Sequence, residues 1–189
     1  MVENSAVALR QSFGYDFDVD TTQILIRRLA PSEAAAYRGI RLDALRCSPE
    51  AFGSTFEAES ARPIERFAER LSNCTVFGAF RGDEIVGMAG FMGREGAKDA
   101  HKGMLWGMYV RADSRNAGVG RRLAETVIQF ARERVELLQL AVVRDNEPAR
   151  RLYASLGFVE YGIERKALKQ GGRYYDEILM AKELSLDPI

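Results

Sequence analysis

The sequence predicts an α/β domain with about seven strands and about four helices. Three observations carry this reading. Short apolar runs of strand length alternate with longer segments whose apolar residues recur at helical spacing. Turn-forming residues sit between these segments. The stretch from Met104 to Phe130 reads in direct succession as a buried strand, a glycine-bearing turn and an amphipathic helix. At 189 residues the chain can bury one sizeable core.

The elements follow in order. Residues 1–21 read as an N-terminal extension in which Phe13, Tyr15 and Phe17 alternate without a longer period. The main domain runs over residues 22–184, and residues 185–189 form a C-terminal tail. Gln23 to Leu29 is the first strand. Pro31-Ser32-Glu33 opens a helix that continues to about Cys47: proline is tolerated in a first turn and Glu33 suits the helix dipole. Ser48 to Gly53 breaks the pattern, and Pro63 to Leu71 is a second helix with Ile64, Phe67, Ala68 and Leu71 on one face. Thr75–Arg81 and Glu84–Met92 form a hairpin about Gly82-Asp83. Gly93 to Lys102 is a polar loop. Leu105, Trp106, Met108, Tyr109 and Val110 then make a nearly continuous apolar strand, as expected of one covered on both faces. In the helix that follows, to about Arg134, Val119, Leu123, Val127 and Phe130 share a face. Leu137–Val143 is the next buried strand. Asn146 caps a helix with Pro148 in its first turn and Ala149, Leu152, Tyr153 and Leu156 on one side, and Gly157 stops it. Val159–Leu168 and Arg173–Met180 close the chain as a strand pair around Gln170-Gly171-Gly172.

Composition excludes several classes. Hydrophobic residues make up 47% of the chain and charged residues 29%, ordinary for a soluble globular protein. The formal net charge is zero, so no electrostatic footprint for nucleic acid or an acidic membrane surface is present. No apolar run approaches the roughly 20 residues that span a bilayer, and the N-terminus lacks the basic-then-apolar pattern of a secretion signal. Two cysteines, Cys47 and Cys74, supply neither a disulfide framework nor zinc spacing, and one histidine, His101, leaves no multi-histidine metal site. The expectation is a cytoplasmic protein with reduced thiols and no metal.

The turn after Val110 carries the chemistry. A helix N-terminus bears partial positive charge and unpaired N–H groups, and it favours Asp or Glu nearby. Here it has Arg115, Arg121 and Arg122, with Arg111 close by. Glycines, exposed amides and arginines together describe a phosphate cradle, against the plainer reading of a solvated basic turn. A nucleoside-triphosphate loop does not fit, because no Gly-Lys-Ser/Thr follows. Nor does the three-glycine dinucleotide fingerprint, because only Gly118 and Gly120 are present.

Arg115-Asn116-Ala117-Gly118-Val119-Gly120 resembles the Arg/Gln-x-x-Gly-x-Gly/Ala signature of the GNAT superfamily of N-acetyltransferases. Asn146, Ala149, Leu152-Tyr153 and Gly157-Phe158 resemble that family's second signature, and Tyr174–Met180 resembles its last strand. The likeness covers roughly Gln23 to Leu184. It implies a central mixed, mostly antiparallel sheet whose strands ending near Val110 and Val143 splay apart at the cofactor site. It also implies acetyl-CoA as cosubstrate. The pantetheine arm would lie along Met108, Tyr109 and Val110 with Asn146 beside it, and the pyrophosphate would meet Arg115, Asn116, Ala117, Gly118, Val119, Gly120 and Arg121. The Tyr153 hydroxyl would face the sulfur as the catalytic acid.

The implied reaction is acetyl transfer to a primary amine of a small molecule or peptide, by direct attack on the thioester. The alternative is a non-catalytic acyl-CoA-binding or regulatory module of the same fold. The partner set is a small-molecule or peptide amine, with a homodimer admitted and no nucleic acid or membrane. A lysine-like amine must lose a proton first, at a cost of roughly 4 kcal/mol at pH 7. The strand before the phosphate turn holds no carboxylate to take it. Glu57, Glu59, Asp176, Glu177 and a water wire stand as candidates. Trp106 and the ring of Tyr153 are also expected to pack in the core.

Overall fold

The computed structural model describes residues 23–184. Readings that fall on the terminal extension and tail therefore lie outside the described residues. One sheet holds β1 (Ile24–Arg28), β2 (Thr75–Arg81), β3 (Glu84–Gly93), β4 (Lys102–Val110), β5 (Leu137–Val143), β6 (Val159–Gln170) and β7 (Arg173–Glu183), in the order β1-β2-β3-β4-β5-β7-β6. Every neighbouring pair is antiparallel except β4 with β5. The helices are α1 (Ala34–Cys47), α2 (Phe56–Ser60), α3 (Ile64–Asn73), α4 (Val119–Arg132) and α5 (Glu147–Ser155). The predicted mixed, mostly antiparallel sheet of seven strands is the one observed.

Strand periodicity splits the core in two. Val76 and Phe80 of β2 join Tyr37, Ile40, Phe67 and Leu71 from α1 and α3. Phe77 and Ala79 join Leu123, Val127 and Ile128 of α4, with Tyr153 and Phe158. Side chains that alternate along a strand thus feed opposite layers. The helix ends follow local rules. Asn146 accepts the Ala149 N–H at 3.2 Å and caps α5, with Pro148 in the first turn. Thr55 does the same for α2 through the Ala58 N–H, also at 3.2 Å.

The structure departs from the sequence reading at several points. α2 has no counterpart in the reading, which ran from the break at Gly53 straight to Pro63. The first helix begins as a 3-10 turn, Pro31–Glu33, before α1. α4 ends at Arg132, and β6 and β7 run on to Gln170 and Glu183. β6 bulges between Glu164 and Leu168, where Lys166 takes a φ of 53° and its N–H donates to Asp176 Oδ1 at 2.9 Å. Among the described residues no helix is long and apolar enough to cross a membrane, and no group of three or more His, Cys, Asp or Glu side chains could hold a metal.

Candidate active site

The site begins where the sheet stops being continuous. β4 and β5 pair only through Lys102–Met104 and Leu137–Gln139. Beyond Met104, β4 keeps its ladder to β3, while its other edge, from Leu105 to Val110, has no strand partner among the described residues. β4 also carries one more residue than β3 between the pairs Met88–Tyr109 and Gly90–Trp106. The extra residue is taken up at Gly107, whose φ of 64° a side chain would resist. The bulge turns the strand's end into a cavity of about 980 Å³.

The turn after β4 forms one end of this cavity. Gly118 stands as N-cap of α4 with φ 75°, and no acidic residue occupies the helix's first turn. Among the described residues the backbone amides from Asn116 to Arg121 donate to no backbone carbonyl. Arg115 and Arg121 line the cavity. Arg115 Nε donates to the Val110 carbonyl at 3.0 Å, and Arg121 donates to the Ser155 hydroxyl at 2.7 Å. The other two arginines of the sequence reading are spent elsewhere. Arg122 donates to the Ile24 carbonyl at 2.9 Å and holds β1 to α4. Arg111 is paired with Asp43 and Glu84.

Met108, Tyr109, Val110, Arg115, Asn116, Gly118, Val119, Gly120, Arg121 and Asn146 all line the cavity. Ala117 belongs to the same turn but is not part of the lining. Tyr153 does not line it either, although its helix neighbours Ala149 and Leu152 do. Its ring is 5% exposed and packs edge-on against Phe158, with centroids 5.8 Å apart. Burial pushes its phenol well above the ordinary range. The Tyr109 phenol is pushed up to about 12 by burial and by the neighbouring Cys47 thiol, with Arg115 acting in the opposite direction.

The sequence reading placed the opposite wall on the early helices and the Ile163–Arg173 hairpin, and Arg173 does line the cavity. Ser48, Glu50, Ala51 and Phe52, with Val143, Asp145, Pro148, Arg173 and Tyr175, complete the lining. Among the proton acceptors proposed from sequence, Glu59 is corrected. It is buried, and both its oxygens accept from Arg41, at 2.8–3.2 Å, and from Arg70 at 3.1 Å. Those arginines overcome the effect of burial and hold its carboxyl down at about 2. A carboxylate so engaged has no lone pair to offer a substrate. Glu57 is exposed on α2 and lies outside the lining. Asp176 is occupied by the Lys166 N–H and by Arg144 at 3.9 Å. Glu177 on β7 also lies outside the lining, next to Val143 and Tyr175, which belong to it; it is half-buried, and burial together with Glu164 raises its carboxyl.

An open strand edge that leads into a run of unpaired amides and two arginines suits an extended, amide-bearing ligand that ends in a diphosphate. This is the layout of an acyl-CoA site. The Acetyltransferase (GNAT) family matches residues 39–158. Over 134 residues the chain is 31% identical to the N-alpha-acetyltransferase RimI of Mycobacterium tuberculosis, covering 70% of this chain and 82% of that protein. Over 181 residues it is 30% identical to an uncharacterized protein of Mycobacterium leprae, covering 94% of this chain but only 46% of the relative; the chain spans about half that protein's length. Among solved structures it is similar to a ribosomal-protein-alanine N-acetyltransferase from Brucella melitensis, with 28% identity, a TM-score of 0.74, and coverage of 85% of this chain and 99% of that one. The chain belongs to the GNAT family of acetyl-CoA-dependent acetyltransferases.

Proposed function

We propose that this chain transfers the acetyl group of acetyl-CoA to the α-amine at the N-terminus of a peptide or protein. The observation that carries the donor half is the unpartnered β4 edge running into the Asn116–Arg121 amides. The likeness to two enzymes named for N-terminal or ribosomal-protein alanine acetylation supports the acceptor half. Charge chemistry favours the same acceptor. An α-amine has an ordinary pKa near 8, so freeing its lone pair at pH 7 costs about 1 kcal/mol, against about 4–5 kcal/mol for lysine.

Acetyl-CoA supplies an activated thioester carbonyl. The chain's own groups then divide the work. The Asn116–Arg121 amides with Arg115 and Arg121 hold the diphosphate. The free β4 edge from Leu105 to Val110 pairs with the pantetheine amides. The backbone N–H groups at the Gly107 bulge stand outside the regular ladder and meet the charge that develops on the carbonyl oxygen. Asn146 spends its oxygen on the α5 cap and keeps its amide N–H₂ for the ligand. The Tyr153 phenol, which lies outside the lining beside Ala149 and Leu152 and which burial raises, is assigned as the proton donor to the leaving sulfur. A peptide panel with free or blocked α-amines, with and without lysine, tests the reading by mass spectrometry. Acetylation confined to free α-amines is expected. Acetylation of lysine alone would overturn the acceptor class, and acetyl-CoA binding without transfer to any amine would overturn the activity.

A further inference from the structure

The proton acceptor is the part of this reaction that the cavity lining leaves open, and the strand register points to one carboxylate. Across β6, β7 and β5, Glu164, Glu177 and Val143 stand in one row. Gly162, Leu179 and Ala141 stand in the next row. Residues paired across a ladder share a face, as do residues two apart on a strand. Glu177 therefore shares its face with Val143 and Tyr175, which both line the cavity. In the next row Leu179 lies over Gly162, where a Cβ would meet its Cδ1 at 3.6 Å, and Ala141 is exposed.

We propose that Glu177 accepts the proton of the incoming ammonium, and that Glu164 opposite it sets the pH at which it does so. The inference rests on the acetyltransferase reading above. Glu177 is half-buried and makes no hydrogen bond or ion pair among the described residues, unlike Glu59, Asp176 and Asp145. β5 contributes the uncharged Val143 and Ala141, and β7 itself contributes Tyr175 and Leu179. β6 contributes Glu164, and the Pro49–Ala51 turn carries Glu50, which lines the neighbouring cavity as Glu177 does not. No cation of these elements pairs with Glu177. A lone carboxylate faced by a like charge and partly removed from water is raised toward the pH at which it works as a base, in line with the direction found for it. In the step, a Glu177 oxygen takes one proton from the ammonium. The freed nitrogen lone pair forms the N–C bond as the C–S bond breaks, Tyr153 gives its proton to the departing sulfur and regains the amide nitrogen's second proton, and Glu177 returns its proton to water.

The test is the pH profile of kcat/KM with one fixed peptide, measured for the wild type, Glu177→Gln, Glu164→Gln and Glu50→Gln, with acetyl-CoA affinity measured by calorimetry. For Glu177→Gln we expect a loss of about 100-fold or more in kcat, disappearance of the acid limb, and unchanged acetyl-CoA affinity. Glu164→Gln leaves Glu177 in place and removes the like charge. It should lower the pKa of Glu177 and move the acid limb to lower pH, a shift that a merely structural Glu164 would not produce. A Glu177→Gln enzyme that keeps the wild-type rate and limb would overturn the assignment, as would loss of the limb in Glu50→Gln alone. If the wild type transfers acetyl to no amine, the activity reading itself falls, and this assignment with it. Wild-type turnover beside an unimpaired Glu177→Gln removes only the assignment.

Discussion

At the scale of single residues, the cavity is sensitive to small additions. A Cβ on Gly120 would rest at ordinary contact distance from Leu152 and Val110, 3.6 and 3.8 Å away, so alanine fits the fold there. Valine adds two methyls where the cavity lining meets the turn. Gly120→Val should weaken acetyl-CoA binding more than tenfold, or about 1.4 kcal/mol, by calorimetry on folded protein. Tyr153→Phe keeps the edge-on packing against Phe158 and removes only the hydroxyl. A drop of about 10- to 1,000-fold in kcat at unchanged melting temperature and acetyl-CoA affinity is expected; wild-type turnover with chemistry rate-limiting would return Tyr153 to a packing role. The residues read from sequence and those missed differ in how far their causes lie along the chain. The turn from Arg115 to Arg121 and the Asn146 cap are local, so motif and capping chemistry exposed them. Glu59 was misread as a free base because its partners, Arg41 and Arg70, lie 18 and 11 residues away, and no local pattern brings them to it.

At the scale of elements, the same ion cluster explains a helix that periodicity could not find. α2 spans five residues, too short to show a helical stripe. Its one fully buried side chain is Glu59, and two arginines from α1 and α3 close over that carboxylate. The Arg41 guanidinium also sits 4.9 Å from the ring centroid of Phe52, a cavity wall, so the cluster braces that wall. Glu59→Gln leaves the buried Arg41 and the half-buried Arg70 without their counter-ion, and we expect a loss of about 3 kcal/mol in stability by denaturant titration. The pH dependence has a definite sign. Holding the carboxyl at about 2 instead of 4.5 contributes stability that is complete above about 4.5 and fades as pH falls toward 2. The wild type should therefore lose more stability than Glu59→Gln between pH 5 and pH 2 (about those limits, set by the two values). Parallel acid titrations of the two proteins would reject the cluster's role. The long strands, by contrast, were legible almost to their ends, because each has an apolar period and a turn residue on either side.

At the scale of the whole molecule, the sheet order and the two-layer core follow from alternation along the strands. The place where the sheet opens does not, because nothing in the sequences of β4 and β5 announces that their pairing ends at Met104 and Gln139. That short parallel contact makes the sheet two panels, β1 to β4 and β5 to β6, sewn together at one corner and otherwise bridged by packing on α4 and α5. A ligand whose amides pair along the open edge of β4 would act as a second row of stitches. Acetyl-CoA at about 100 times its dissociation constant should add about 2.7 kcal/mol of stability and raise the melting temperature by about 5–10 °C, while ATP and NAD should add nothing. The gain should be uneven. Amide hydrogen exchange should slow most along Leu105–Val110 and at the turn that follows, and should spread into β5 and β7, since those strands separate from β4 in any partial opening. The donor would then be a tie as well as a reagent: each turnover, on release of the product thiol, would briefly loosen the panels that the next molecule of acetyl-CoA draws back together.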